Sequence, residues 1–215
     1  MTTGDLTPAL EVPVWIRGLI FDCDGTLADS LPLHYAAWEE TFAALNLPCP
    51  LEFLLRHNGK PTDLIVTLYN AEFGRTINVA AFTADKERRT YARLEQTKPL
   101  EPAARLVRQY YGRLPLAVVS GSNRVNVERT LRAIGLRALF PVVLTADDGF
   151  PPKPAPDLFL EAACRLQVDP GACQVFEDAD SGLEAARCAG MLATDVRPLL
   201  VGSASISTFK TRFPT

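Results

Sequence analysis

Short apolar runs bounded by polar turns recur along the chain and alternate with stretches of helical spacing. The runs Ile16–Phe21, Leu116–Val119, Val142–Leu144, Gln174–Phe176 and Ala193–Val196 read as strands. Ala103–Tyr111 precedes the second run with a helical pattern, and Val125–Ile134 follows it, with Gly135 placed to stop that helix. Pro156–Leu166 opens on a proline suited to a first helical turn, and Gly182–Ala189 ends at Gly190. Such alternation predicts a parallel sheet with crossover helices, an α/β, Rossmann-like core. One interval breaks the rhythm. Between the first and second strands lie three further helical patterns, Leu33–Leu45, Thr62–Phe73 and Val79–Leu94, punctuated by Gly59, Gly74 and Pro99. A crossover needs one helix, so residues 31–96 are expected to form an inserted helical cap domain. Residues 1–30 and 97–215 then form the core. The insertion starts just past the carboxyl end of the first strand and should cover the sheet edge where ligands bind in open parallel sheets.

Composition narrows the class without choosing a function. The chain has 215 residues, 47 % of them hydrophobic and 22 % charged, which is a globular balance large enough for a real core. A net charge of −3 gives no general basic face for nucleic acid. No apolar run approaches the ~20 residues of a membrane span. The start, MTTGDLTPALEVPV, lacks the basic and apolar regions of a signal peptide. The five cysteines are scattered with no CxxC or Cys/His cluster, which suggests free thiols in a reducing, cytoplasmic setting.

The candidate chemistry sits at the strand ends. Phe21-Asp22-Cys23-Asp24-Gly25-Thr26 places two carboxylates on one side of a strand exit, where a cation, a shared proton or both must offset their repulsion. The hexapeptide alone also fits an ordinary Asp-Gly turn. Ser120-Gly121-Ser122-Asn123 exposes hydroxyls and N–H groups before a helix, as an anion cradle or as plain capping. Lys153 stands in a frame of four prolines, Gly149 to Asp157, and could be aimed at a phosphate or simply solvated. In Phe176-Glu177-Asp178-Ala179-Asp180-Ser181-Gly182, a Ser181/Glu184 capping box accounts for Glu184 but not for Glu177 and Asp178. Together the four segments offer oxygen ligands for Mg²⁺, donors for an anion best read as phosphate, and an aspartate placed as a nucleophile.

These four segments, in this order, resemble the motifs of the haloacid dehalogenase-like phosphotransferase superfamily over residues 16–197. FDCDGTLADSLPLHYAAW, KPAPDLFLEAA and VFEDADSGLEAARCAGM are similar to its β-phosphoglucomutase-like branch and, more narrowly, to its fructose-1-phosphate phosphatase-like members. The resemblance implies an α-helical cap and a Mg²⁺-dependent phosphatase of small phosphorylated metabolites, a sugar monophosphate in particular. Asp22 would be the nucleophile and Asp24 the acid and base. Ser120, Gly121, Ser122 and Lys153 would grip the phosphoryl group. Asp22, Asp24 (through its carbonyl), Asp178 and Glu177 would surround the metal. His34, Arg56 and Lys60 would read the substrate from the cap. Thr26 and the run SGSNR depart from the pattern of the mutases. A sugar phosphomutase remains the alternative, and a non-enzymatic phospho-receiver-like module a second one, which Asp24 and the cap disfavour. The expected partner is the small metabolite alone, with no nucleic acid or membrane and the chain acting as a monomer. The tail from Ser203 to Thr215 lies beyond the resemblance.

Overall fold

The computed structural model describes residues 10–199, so the segment 203–215 and the start of the chain lie outside it. Five parallel strands form one sheet: β1 (Gly18–Phe21), β2 (Leu116–Val119), β3 (Val142–Leu144), β4 (Cys173–Glu177) and β5 (Leu192–Asp195), in the order β3-β2-β1-β4-β5. Among the described residues the eight α-helices are α1 (Leu31–Ala44), α2 (Leu51–Arg56), α3 (Thr62–Phe73), α4 (Val79–Tyr91), α5 (Glu101–Tyr110), α6 (Arg124–Ala133), α7 (Asp157–Leu166) and α8 (Asp180–Cys188). All five strands fall where the hydrophobic runs predict them. The sequence pattern misses only α2 among the α-helices.

Side chains alternate across the sheet and build two buried layers. Leu19 and Phe21 of β1 and Leu116 and Val118 of β2 face α5 and α6. Ile20, Ala117 and Val119 face α7 and α8. Helices α1 to α4 do not share either layer. They close around a third cluster containing Tyr35, Trp38, Phe42, Phe53, Tyr69 and Phe82. The aromatic spacing of α1 therefore serves packing: the Trp38 and Phe42 rings stack with centroids 5.9 Å apart. The two chain segments that connect this helical unit to the sheet run side by side. Asp29 N–H donates to the Lys98 carbonyl at 2.9 Å, and Leu100 N–H to Leu27 at 2.9 Å. No helix among the described residues is long and apolar enough to cross a membrane.

The sheet turns direction between β1 and β4: the chain leaves β1 toward β2 and later returns to add β4 on the other side. Pairing of Phe21 with Phe176 sets the two carboxyl ends level, and their rings stack at 4.8 Å. Asp22 and Glu177, the next residues on each strand, emerge together at that switch point.

Candidate active site

Asp22, Glu177 and Asp178 offer carboxylate oxygens that all lie within 4.8 Å of one another, and all three residues are buried. One ammonium is embedded among them. Lys153 Nζ donates to Asp22 Oδ1 at 2.8 Å, Glu177 Oε1 at 2.5 Å and the Val119 carbonyl at 3.2 Å. The Lys153 side chain is 0 % exposed, so the proline frame delivers it inward rather than into solvent. Burial disfavours its charge, yet Asp22 and Glu177 hold its pKa above the ordinary value.

Three carboxylates against one ammonium leave the cluster short of positive charge. Burial pushes the Asp22 carboxyl well above its ordinary range, against the pull of Lys153 and with the help of Glu177 and Asp178. Asp178 is pushed up to about 8 by burial and by Glu177. An oxygen-only donor set with excess negative charge fits a hard divalent cation such as Mg²⁺. Glu177 is committed on both oxygens: Oε1 to Lys153, and Oε2 to the Ala179 N–H at 2.7 Å. A Cβ at Gly182 would lie 1.8 Å from Glu177 Oε1, which explains the glycine there. Asp178 holds weaker partners, Thr26 Oγ1 and Asn58 Nδ2, each at 3.2 Å.

Asp24 occupies a different environment only two residues away. Its Oδ1 accepts from Ser30 Oγ at 2.5 Å, and its Oδ2 from Ser122 Oγ at 2.6 Å. His34 Nε2 approaches Oδ1 to 3.3 Å. Lys86 Nζ lies 3.1 Å from His34 Nδ1, and an ammonium only donates, so Nδ1 accepts and the ring hydrogen sits on Nε2, toward Asp24. Burial raises the Asp24 pKa, but His34, Ser122 and Ser30 overcome it and hold the carboxyl below its ordinary range.

The remaining expected residues divide. Ser120, Gly121 and Ser122 line the same pocket as Asp22 and Asp24, with Ser120 Oγ accepting the Ser122 N–H at 3.1 Å. The capping reading is borne out, since the Asn123 side chain caps α6 by accepting the Asn126 N–H. Gly121 has a further reason to be glycine: a Cβ there would sit 2.0 Å from the Gly59 carbonyl oxygen. His34 and Lys60 also line the pocket. Arg56 does not. It pairs with Glu72 at 2.6 Å over the Phe53 ring and leaves 60 % of its side chain exposed. The Ser181/Glu184 capping box does not form either. The α8 N-cap is Ala179, and Ser181 Oγ donates instead to the Asn58 carbonyl at 3.2 Å. Ser30, Lys86 and Glu87 reach the site without having been singled out, and Thr26, which bonds Asp178, stood out only by its place in the first motif, as a departure from the mutase pattern.

The pocket has a volume of about 320 Å³ and lies between the sheet edge and helices α1 to α4. That is at the small end of the range for small-molecule sites. A family model for haloacid dehalogenase-like hydrolases matches residues 16–190. The fructose-1-phosphate phosphatase YqaB of Escherichia coli K12 is 40 % identical over 187 residues, covering 85 % of this chain and 97 % of that one. A hydrolase structure from Pseudomonas syringae superposes with a TM-score of 0.76 at 27 % identity, over 83 % of this chain and 84 % of its own. The structure of CbbY from Rhodobacter sphaeroides in complex with phosphate superposes with a TM-score of 0.73 at 27 % identity, over the same shares.

Proposed function

The chain belongs to the haloacid dehalogenase-like hydrolase family and is a phosphatase of it; we propose that it hydrolyses a sugar monophosphate with Mg²⁺ through an aspartyl-phosphate at Asp22. The observation that carries this reading is the separation of Asp22 and Asp24 into opposite environments. One faces a lysine inside an acidic cluster, and the other faces two hydroxyls and an imidazole. Two carboxylates set apart in this way can divide nucleophilic and acid–base work.

In the proposed sequence, an Asp22 oxygen forms a bond to phosphorus as the ester P–O bond breaks. The leaving sugar oxygen takes its proton from the acid form of Asp24, in which the serine facing the protonated oxygen turns its hydroxyl away from donating while the other serine still donates. Asp24 then removes a proton from the water that attacks phosphorus, and Asp22 and inorganic phosphate are released. Lys153, Ser120 and the N–H groups around Gly121 and Ser122 hold the phosphoryl oxygens. Mg²⁺, held by Asp22, Asp178 and the Asp24 carbonyl with Glu177 beside them, would neutralise charge on those oxygens. Residues 31–96 act as a cap that selects the substrate and excludes bulk water. The separate core of that segment and its paired connections to the sheet support this. The 40 % identity to a fructose-1-phosphate phosphatase, with a pocket of about 320 Å³, supports a hexose-sized leaving group.

Phosphate release from a panel of sugar phosphates, with and without Mg²⁺, tests the reading. Turnover without a bisphosphate primer distinguishes hydrolysis from phosphoryl return to the sugar. Asp22→Asn should fold normally and lose turnover, because the amide is nearly isosteric but a poor nucleophile. Near-normal turnover by that folded variant would overturn the mechanism.

A further inference from the structure

A chain of contacts runs from Asp24 away from the acidic cluster. His34 Nε2 lies 3.3 Å from Asp24, Lys86 Nζ lies 3.1 Å from His34 Nδ1, and Lys86 Nζ donates to Glu87 Oε1 at 3.0 Å. Asp24 stands where the leaving oxygen is protonated, so Glu87 lies on the leaving-group side of the pocket that it lines. Glu87 is 7 % exposed. Oε1 also accepts from Thr62 Oγ1 at 2.6 Å, and Oε2 accepts from Asn126 Nδ2. The carboxylate is thereby held in place, and Oε2 keeps acceptor capacity for a further donor. Although burial opposes its charge, Lys86 and Thr62 hold its carboxyl below the ordinary range.

The cations of this region are already committed. Lys86 is buried between Glu87, His34 and the Trp38 ring. Arg124 pairs with Asp148. Lys60 lines the pocket with its ammonium against His57 Nδ1, and Asp63 and Asp147 line the same pocket. A neutral hydroxyl can donate to Glu87. A second phosphate would meet fixed negative charge with one lysine to answer it.

We infer that Glu87 determines the substrate class: its buried carboxylate accepts hydroxyls of an uncharged leaving group and rejects one that bears a second phosphate. This inference rests on the sugar monophosphate phosphatase reading. It concerns the group that leaves, and the phosphoryl chemistry is common to every substrate.

The test compares kcat/KM for phosphate release from a hexose 1-phosphate and from the matching 1,6-bisphosphate, within each variant. The wild type should favour the monophosphate by about tenfold or more, as expected for a second phosphate brought toward a carboxylate that Lys86 only partly offsets. Glu87→Gln should bring the ratio to within about threefold, and Glu87→Asp, which keeps the charge, should preserve it. Asn126→Ala removes the bond between α4 and α6 but leaves the Glu87 charge, so its ratio should stay high. The ratio is internal to each variant and does not depend on the folded fraction. Should Glu87→Gln fail to fold, the wild-type preference should still shrink as ionic strength rises. An unchanged ratio in folded Glu87→Gln, a collapsed ratio in Asn126→Ala, or a salt-independent preference overturns the inference. Equal turnover of both sugar phosphates by the wild type overturns it too, while leaving the phosphatase reading standing. Silence toward every phosphate ester, an aryl phosphate included, overturns that reading and the inference with it.

Discussion

Asp22, Asp178 and Lys153 define a local charge imbalance with a measurable pH signature. In the chain without a cation, Asp178 is pushed up to about 8 and Asp22 is raised as well, burial being the first cause for both. The folded state then binds more protons than the unfolded state from the ordinary carboxylate range up to about pH 8. Stability from these groups is present at low pH and is lost as pH rises through that window. A cation that replaces those protons offsets the loss. The rise in unfolding midpoint produced by Mg²⁺ should therefore be larger near pH 8 than near pH 5. Asp178→Asn should shrink that difference and lower phosphate release by about a hundredfold, because a hard-cation ligand is gone. Thermal unfolding at both pH values, with Mg²⁺ or chelator, is the measurement. An equal Mg²⁺ effect at the two values would contradict the charge imbalance. The two Asp positions were legible in the sequence because strand periodicity alone puts them on one side of an exit. Their separation into two environments was less legible, since Ser122 comes from a distant stretch of chain and nothing in the sequence marked Ser30 as a partner of Asp24.

Loops 57–60 and 120–122 meet backbone to backbone, and glycine permits the approach. A Cβ on Gly121 would lie 2.0 Å from the Gly59 carbonyl oxygen, and Asn58 beside it reaches Asp178. Gly121→Ala must displace the α2–α3 loop from the sheet edge, since a backbone oxygen cannot rotate aside as a side chain would. The sheet layers do not depend on this contact, so the expected outcome is a small change in stability, within about 1 kcal/mol, with a marked loss of sugar phosphate hydrolysis. Wild-type kinetics in that variant would show that the loop contact is dispensable. Element reading succeeded where burial imposes a period, as in β1 and β2, whose alternate residues enter separate layers. It failed at α2, whose six residues LEFLLR are too short to show a helical period. It also failed at Ser181 and Glu184, where a local capping pattern gave way to a contact with Asn58. In α4, five consecutive charged residues conceal two roles. Asp85 pairs with Arg88 and Arg89 toward the outside, whereas Lys86 and Glu87 are buried against the pocket. Nothing in the run DKERR marks which charges turn inward.

At the scale of the whole molecule, the proposed function gives the sheet edge the groups common to every phosphate ester and the helices above it those that meet the rest of the substrate. Lys153 touches Asp22 and Glu177 and belongs to the first set. Lys60 lines the pocket from the helical segment and belongs to the second. Arg56 belongs to neither, because charge on a helix near a loop is as readily paired with a neighbouring helix as aimed at a ligand, and Glu72 of α3 claims it. An exposed pair of that kind contributes little, about 0–1 kcal/mol. These placements predict three different outcomes on one substrate panel of sugar phosphates plus a small aryl phosphate. Lys60→Ala should reorder the sugar phosphates and spare the aryl ester, which has few distal groups to contact. Arg56→Ala should leave both ranking and rate within about twofold of the wild type. Lys153→Ala should depress every substrate together by about a hundredfold or more, because each presents the same phosphoryl group and a buried ammonium among carboxylates is lost. A changed ranking in Arg56→Ala would mean that the segment moves enough to bring that guanidinium to the substrate. A selective effect of Lys153→Ala, with overall rate preserved, would break the division between sheet edge and covering helices, because a group that touches only the common part of the substrates has no means of telling them apart.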